Sequence, residues 1–280
     1  MKSTKFCFRY SLDGLAACAF GVDIDSFKVE DESSFVKDIK SVFNVDALTN
    51  MGLVVKFIPG VNRILNTFNI SLFHPKATNN IIKMIKNSLK ERKQSKTRRN
   101  DLIDLMLDIM KNDLAADNED KDMVQEKIPG KKQLPPISED QVIAQALIFL
   151  TAGYDTTGTT LSFLTYALSK NQEVQERLRD EIDAAFEEND GELPDYAVIQ
   201  GLPYLDMVIH ETLRMYNPVG FNTRSCTEPW RIPGTDMTMK KGDLLTFSVM
   251  GLHRDPEHWS HPDQFHPEHF SKEEKAARHP

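Results

Sequence analysis

The 280-residue chain carries 34 Lys and Arg against 42 Asp and Glu, a formal charge of -8, and 40% of its residues are hydrophobic. That apolar content suffices for a packed core, so a disordered chain is excluded, and the acidic balance argues against a dedicated nucleic-acid binder, which shows a net basic footprint. Three cysteines, Cys7, Cys18 and Cys226, are odd in number and widely spaced, which speaks against a disulfide framework and for a reducing environment.

In chain order, "MKSTKFCFRYSLDGLAACAFG" has the basic start and small apolar residues of a signal peptide, but Asp13 interrupts the stretch and a buried helix is the better reading. Further helices are expected over "SSFVKDIKSVFN", "ALTNMGLVVKF", "NNIIKMIKNSLKERKQ" and "DLIDLMLDIMKN", the last with Leu102, Leu105, Met106 and Ile109 as its apolar stripe. Residues 83–99 hold eight basic residues and one acid; a solvated helix end is the commoner explanation, contact with phosphates or an anionic membrane the other. Residues 112–136 read as a surface loop.

Ser138 and Gln141 match a capping box, and no proline follows until well past Ser169, which predicts a helical rod of roughly 45 Å. A surface helix is expected over 171–188, with Val174, Leu178, Ile182 and Ala185 on its packed side. Another over "YLDMVIHETLRMY" stops at Asn217-Pro218, and "MTMKKGDLLTFSVM" reads as a hairpin turning at Lys241-Gly242. No run of 18 apolar residues occurs, so no segment of this sequence spans a membrane as a helix.

Three groups of residues invite a chemical reading. In "FLTAGYDTTGTTLSF", Phe149, Ala152, Gly153, Thr156 and Thr160 share one helix face. Such a thin face admits either a second helix at close range, the commoner case, or a flat ligand. Thr156 can bond back to the Ala152 carbonyl, and Asp155 beside it adds a carboxylate through which protons could pass. Glu211 and Arg214 stand one turn apart, opposite the apolar stripe of their helix, so periodicity alone predicts a solvated ion pair. Six of the eight histidines fall from His253 onward without a cysteine near them, which suits a polar loop better than a zinc site. "HRDP" lacks the asparagine and the phosphate loop of a kinase.

The order of these pieces decides more than any one of them. "AGYDTT" in a long helix, "ETLR" in a later one, then "RSC" and a hairpin, then "HRDP" and "FHPEHF", resembles the cytochrome P-450 family of haem-thiolate monooxygenases, and most of all its animal microsomal branch. The resemblance implies a mainly α fold with a small β portion, present as one partial domain over 1–280 and truncated at both ends. Ala152 and Gly153 would lie against haem, and Asp155 and Thr156 match the acid and alcohol that supply protons for O–O cleavage. Arg224 matches the arginine that bonds a haem propionate. Glu211 and Arg214 match a buried proximal cluster, which His269 completes where the family usually has arginine. The implied partners are an apolar small molecule, O2, an NADPH-dependent reductase and, through an N-terminal anchor absent from this sequence, the endoplasmic reticulum membrane. The iron-ligand cysteine belongs to a segment downstream of "FHPEHF", so this chain alone is expected to hold no axial ligand and to be inactive. The alternative is a non-catalytic helical interaction fragment, or one binding metal through His258, His261, His266 and His269.

Overall fold

A computed structural model of the chain describes residues 2–28, 34–43, 67, 74–95, 98–118 and 137–278. They fall into two compact units, Met1–Gly158 and Thr159–Pro280. The mainly α character expected from sequence is what the structure shows.

Among its described residues the first unit holds helices and no strand. Helix α1 (Lys2–Leu15) runs into one π-type turn (Ala16–Phe20) and is followed by α2 (Ser34–Phe43), α3 (Pro75–Gln94), α4 (Leu102–Asn118) and the first part of α5 (Glu139–Lys170). Each contributes one apolar stripe to a common core: Leu12 and Phe20, Ile39, Ile81, Ile85 and Leu89, Ile103, and Val142, Ala146 and Leu150. At about 25 cal/mol per Å2 of apolar surface buried, this core is the main source of the unit's stability. The N-terminal stretch is therefore a core helix, as its interruption by Asp13 suggested.

Three expectations need correction or fall outside what is described. Among the described residues of α4 the buried hydrophobic ones are Ile103, Met106 and Leu107, while Leu105 and Ile109 are exposed. Both sets satisfy helical spacing, and only the position of the neighbouring helices chooses between them. Helix α4 also continues to Asn118, so the first residues of the predicted 112–136 loop are helical; from residue 119 the loop lies outside the described residues, as does the helix expected over 47–57. The basic segment is more than a solvated helix end. Arg92 places both Nη atoms on Asp101, at 2.9 and 2.7 Å, with Nη1 also 3.0 Å from Asp104, and Arg98 pairs with Asp108.

Helix α5 starts as predicted. Gln141 donates its backbone N–H to Ser138 Oγ at 3.2 Å and its side-chain oxygen accepts from the Ser138 N–H at 2.8 Å, the reciprocal pair of a capping box. It then continues unbroken to Lys170.

The second unit holds the end of α5, then α6 (Gln172–Glu187), α7 (Tyr196–Gln200), α8 (Pro203–Met215), four short strands, α9 (Val249–Leu252), a 3-10 turn (Pro267–Phe270) and α10 (Lys272–Ala277). Leu178, Tyr204 and Val208 form its buried core, with Leu164, Leu168, Val174 and Ile182 packed against them. Helix α8 has no side-chain cap of its own at Leu202. Glu181 of α6 supplies one, its two carboxylate oxygens accepting from the N–H groups of Tyr204 and Leu205 at 2.8 Å each.

The predicted hairpin is corrected in its pairing. The chain does turn at Lys240–Asp243, with Gly242 at φ 93°, but the strands on either side join different sheets. β4 (Leu244–Ser248) pairs antiparallel with β1 (Phe221–Ser225), Thr246 opposite Thr223, whereas β3 (Thr238–Met239) pairs with β2 (Trp230–Arg231).

Candidate functional site

The thin stretch of α5 divides its residues between two surroundings. Gly153 and Gly158 face α1: a Cβ at Gly153 would stand 3.1 Å from the Leu15 methyls, and one at Gly158 only 2.7 Å from Cδ1 of the Phe8 ring. Ser11 of α1 donates its hydroxyl to the carbonyls of Tyr154 at 3.0 Å and Gly153 at 3.3 Å. The glycines thus let α1 approach α5 closely. Phe149, Ala152 and Thr156 lie on an exposed side of the same helix. Thr156 Oγ1 donates to the Ala152 carbonyl at 2.6 Å, the back-bond its spacing predicts. Asp155 is half-buried, and desolvation raises its carboxyl pKa above the ordinary value.

In the second unit Glu211, Arg214 and His269 come together out of contact with water, at 0%, 2% and 3% exposure. Periodicity predicted a solvated pair, and the structure overturns that. Arg214 Nε and Nη2 form a bidentate pair with Glu211 at 2.7 and 2.8 Å. Its other donors reach carbonyls of the segment that follows α9: Nη1 bonds His253 at 2.7 Å and Pro262 at 2.8 Å, and Nη2 bonds Gln264 at 3.0 Å. All five N–H donors of the guanidinium are therefore used. Glu211 Oε1 accepts in addition from the His266 N–H at 2.8 Å and faces His269 Nδ1 at 3.1 Å. Burying two charges costs several kcal/mol each unless pairing is this complete.

His269 Nε2 lies 2.6 Å from the Ser260 carbonyl oxygen, so the ring ties the 3-10 turn to the preceding loop as well as to Glu211. Sequence reasoning missed Trp259 altogether. Its ring lies 5.0 Å from the Arg214 guanidinium, 4.1 Å from that of Arg278 and 5.6 Å from the His269 ring, and its Nε1 donates to the Leu252 carbonyl at 3.0 Å. A large aromatic residue among prolines and histidines was the available signal. Half-buried His253, whose carbonyl serves Arg214, has its ring pKa lowered by desolvation.

Arg224 stands on β1, exposed, where Nη1 donates to Asn222 Oδ1 at 2.8 Å and to the Thr223 carbonyl at 3.1 Å. Among the described residues its Nε and Nη2 make no bond, so a carboxylate could take them. Cys7, Cys18 and Cys226 are free thiols. Among the described residues no three His, Cys, Asp or Glu side chains gather to hold a metal ion, and His269 of the histidine-rich tail is committed to Glu211.

The chain that holds this buried Glu-x-x-Arg pair, and a long helix with the Thr156 back-bond, matches a known family along its whole length. Residues 1–280 match the family model described as Cytochrome P450. The chain belongs to the cytochrome P450 family. It is similar to Cytochrome P450 6k1 of Blattella germanica, 33% identical over 273 residues, covering 96% of this chain and 51% of that protein. It is likewise similar to Cytochrome P450 3A2 of Rattus norvegicus, 35% identical over 274 residues, with 97% and 50% covered. Probable cytochrome P450 6a13 of Drosophila melanogaster is 32% identical over 280 residues, 100% of this chain and 52% of that protein. The chain thus spans about half the length of these cytochrome P450 relatives. Among the described residues no helix is long and apolar enough to cross a membrane.

Proposed function

We propose that this chain is part of a haem-dependent monooxygenase that oxidises an apolar small molecule with O2 and electrons from an NADPH-dependent reductase, and that both units belong to one cytochrome P450 domain. The observation that carries the reading is the pairing, one residue apart on α5, of a Thr156 hydroxyl bonded 2.6 Å to the Ala152 carbonyl and an Asp155 carboxyl raised by burial. A carboxyl whose protonated form burial favours, next to a hydroxyl that can pass the proton on, is what proton delivery requires.

Ala152 and Arg224, each taken within its own unit, suit the cofactor that the family implies, while Gly153 faces Leu15 of α1. Ala152 presents a methyl on the exposed side of α5, where a flat group can lie, and Arg224 has unengaged donors for a propionate. Haem, when bound, would supply the iron at which oxygen is activated. Asp155 holds the proton and Thr156 orients it. Glu211, Arg214 and His269 touch no reacting atom; they fix the loop from His253 to Phe270 and act as positioning residues. The endoplasmic reticulum membrane is the proposed location.

The test is the whole protein that contains this chain, expressed with haem. The thiolate-type absorption band of the reduced carbon monoxide complex should form, and Thr156→Ala should keep that band while losing product. Absence of the band from correctly folded whole protein would overturn the reading.

A further inference from the structure

The basic segment that the proposed activity leaves unused divides by residue type. Its arginines are turned inward or paired: Arg92 serves Asp101 and Asp104, Arg98 serves Asp108, and Arg99 donates to the Gly21 carbonyl. Its described lysines are left outside. Lys76, Lys83 and Lys90 are all exposed on α3, seven residues apart, and seven residues are close to two helical turns. They therefore form a line of about 21 Å along one side of the helix. Lys86 flanks that line, also exposed. The buried stripe of the helix, Ala77, Ile81, Ile85 and Leu89, occupies the opposite side, so the lysines point away from the core. Lys93 is the exception, held 2.8 Å from Glu139. Among the described residues no carboxylate pairs with Lys76, Lys83 or Lys90.

We propose that this lysine row is a docking surface for an anionic phospholipid bilayer. Three observations favour a lipid surface over an acidic protein. The row is straight and evenly spaced, which suits a flat field of charge. It is all lysine, whose compact ammonium senses charge density without the bidentate geometry that arginine brings to a protein carboxylate. And α3 exposes no large hydrophobic residue among those described, whereas protein interfaces are anchored by such residues.

Each lysine near an anionic surface contributes roughly fivefold to partitioning, so the row of three contributes on the order of 10²-fold at low salt. The experiment is co-sedimentation of the 280-residue chain with vesicles of phosphatidylcholine alone or with phosphatidylserine added. The chain should bind only the anionic vesicles and be released as salt rises. Replacing Lys76, Lys83 and Lys90 together by Gln should lower binding about a hundredfold, and replacing the same three by Arg should retain it. Gln and Arg are both good helix formers, so α3 persists in either variant. Neutralising Lys240, Lys241 and Lys272 instead should leave at least nine-tenths of the binding free energy intact. Equal loss in that control, no binding to anionic vesicles, or row-dependent binding to polyglutamate without binding to vesicles would each overturn the proposal, the last in favour of an acidic protein partner.

Discussion

Glu211 and Arg214 form a bidentate ion pair 2.7 and 2.8 Å long, in which neither side chain retains contact with water. Such a pair adds little net stability relative to an apolar substitute, but it is costly to break on one side, because the surviving charge stays buried. Glu211→Gln should destabilise the second unit by about 3–5 kcal/mol. Arg214→Lys should be nearly as damaging, since lysine cannot reach three carbonyls and two carboxylate oxygens at once. The double variant Glu211→Leu with Arg214→Met should recover part of that loss. Denaturant unfolding of the parent, Glu211→Leu, Arg214→Met and their double variant closes a double-mutant cycle, and strictly additive effects there would show that the pair is not coupled.

The two glycines that admit α1 respond differently to a methyl group. At Gly153 a Cβ would meet the flexible end of Leu15 at 3.1 Å, so a small shift of Leu15 accommodates Ala and the helix gains up to about 1 kcal/mol of propensity. At Gly158 the Cβ would stand 2.7 Å from the Phe8 ring, with two more ring atoms within 3.0 Å, and a ring cannot give locally. Gly158→Ala should therefore destabilise by about 1–3 kcal/mol, while Gly153→Ala is neutral or stabilising; thermal melts separate the two.

Glu181 caps α8 from a neighbouring helix. Glu181→Ala leaves the N–H groups of Tyr204 and Leu205 without their acceptor and should cost about 1–2 kcal/mol. Amide exchange at those two positions should rise well before exchange at Val208, deeper in the same helix. Unchanged protection at Tyr204 and Leu205 would show that the cap is dispensable.

Asp155 carries a pH signature. Its carboxyl is raised by burial, so the folded state binds the proton more tightly than the unfolded state. The stabilisation is full below the unfolded value of 3.8 and is lost as pH rises through the folded one. Asp155→Asn removes the ionisation, so its stability should exceed that of the parent at pH 7 and the difference should shrink toward pH 3–4. His253 runs the other way: burial lowers its pKa, so its contribution is present above 6.5 and lost as pH falls through the lowered value. Melts of Asp155→Asn and His253→Gln across pH 4–8 give both signs.

Much of the first unit was legible in the sequence because its information is local. The Ser138–Gln141 box, the unbroken run to Lys170 and the Thr156 back-bond are all decided within four residues. The register of α4 was not, because two stripes one residue apart both satisfy the helical period and only the packed partner selects Ile103 and Leu107 over Leu105 and Ile109. The burial of Glu211 and Arg214 was invisible to periodicity for a related reason. The groups that cover them, from His253 to His269, lie about 40–58 residues downstream in a segment without a repeat. Order of motifs, rather than any one motif, carried the family, while the pairing of β4 with β1 across 23 residues could not be read from the intervening turn.

The central proposal is that Asp155 and Thr156 deliver protons for oxygen activation. Its most direct test is the ratio of product formed to electron pairs consumed, measured on the whole haem-loaded protein with Thr156→Ala and with Thr156→Ser. The claim predicts that Thr156→Ala lowers this ratio by about 10²-fold or less, with hydrogen peroxide accounting for the lost electrons, while Thr156→Ser, which keeps the hydroxyl, restores most of it. An unchanged ratio in Thr156→Ala, with folding and haem content intact, would contradict it.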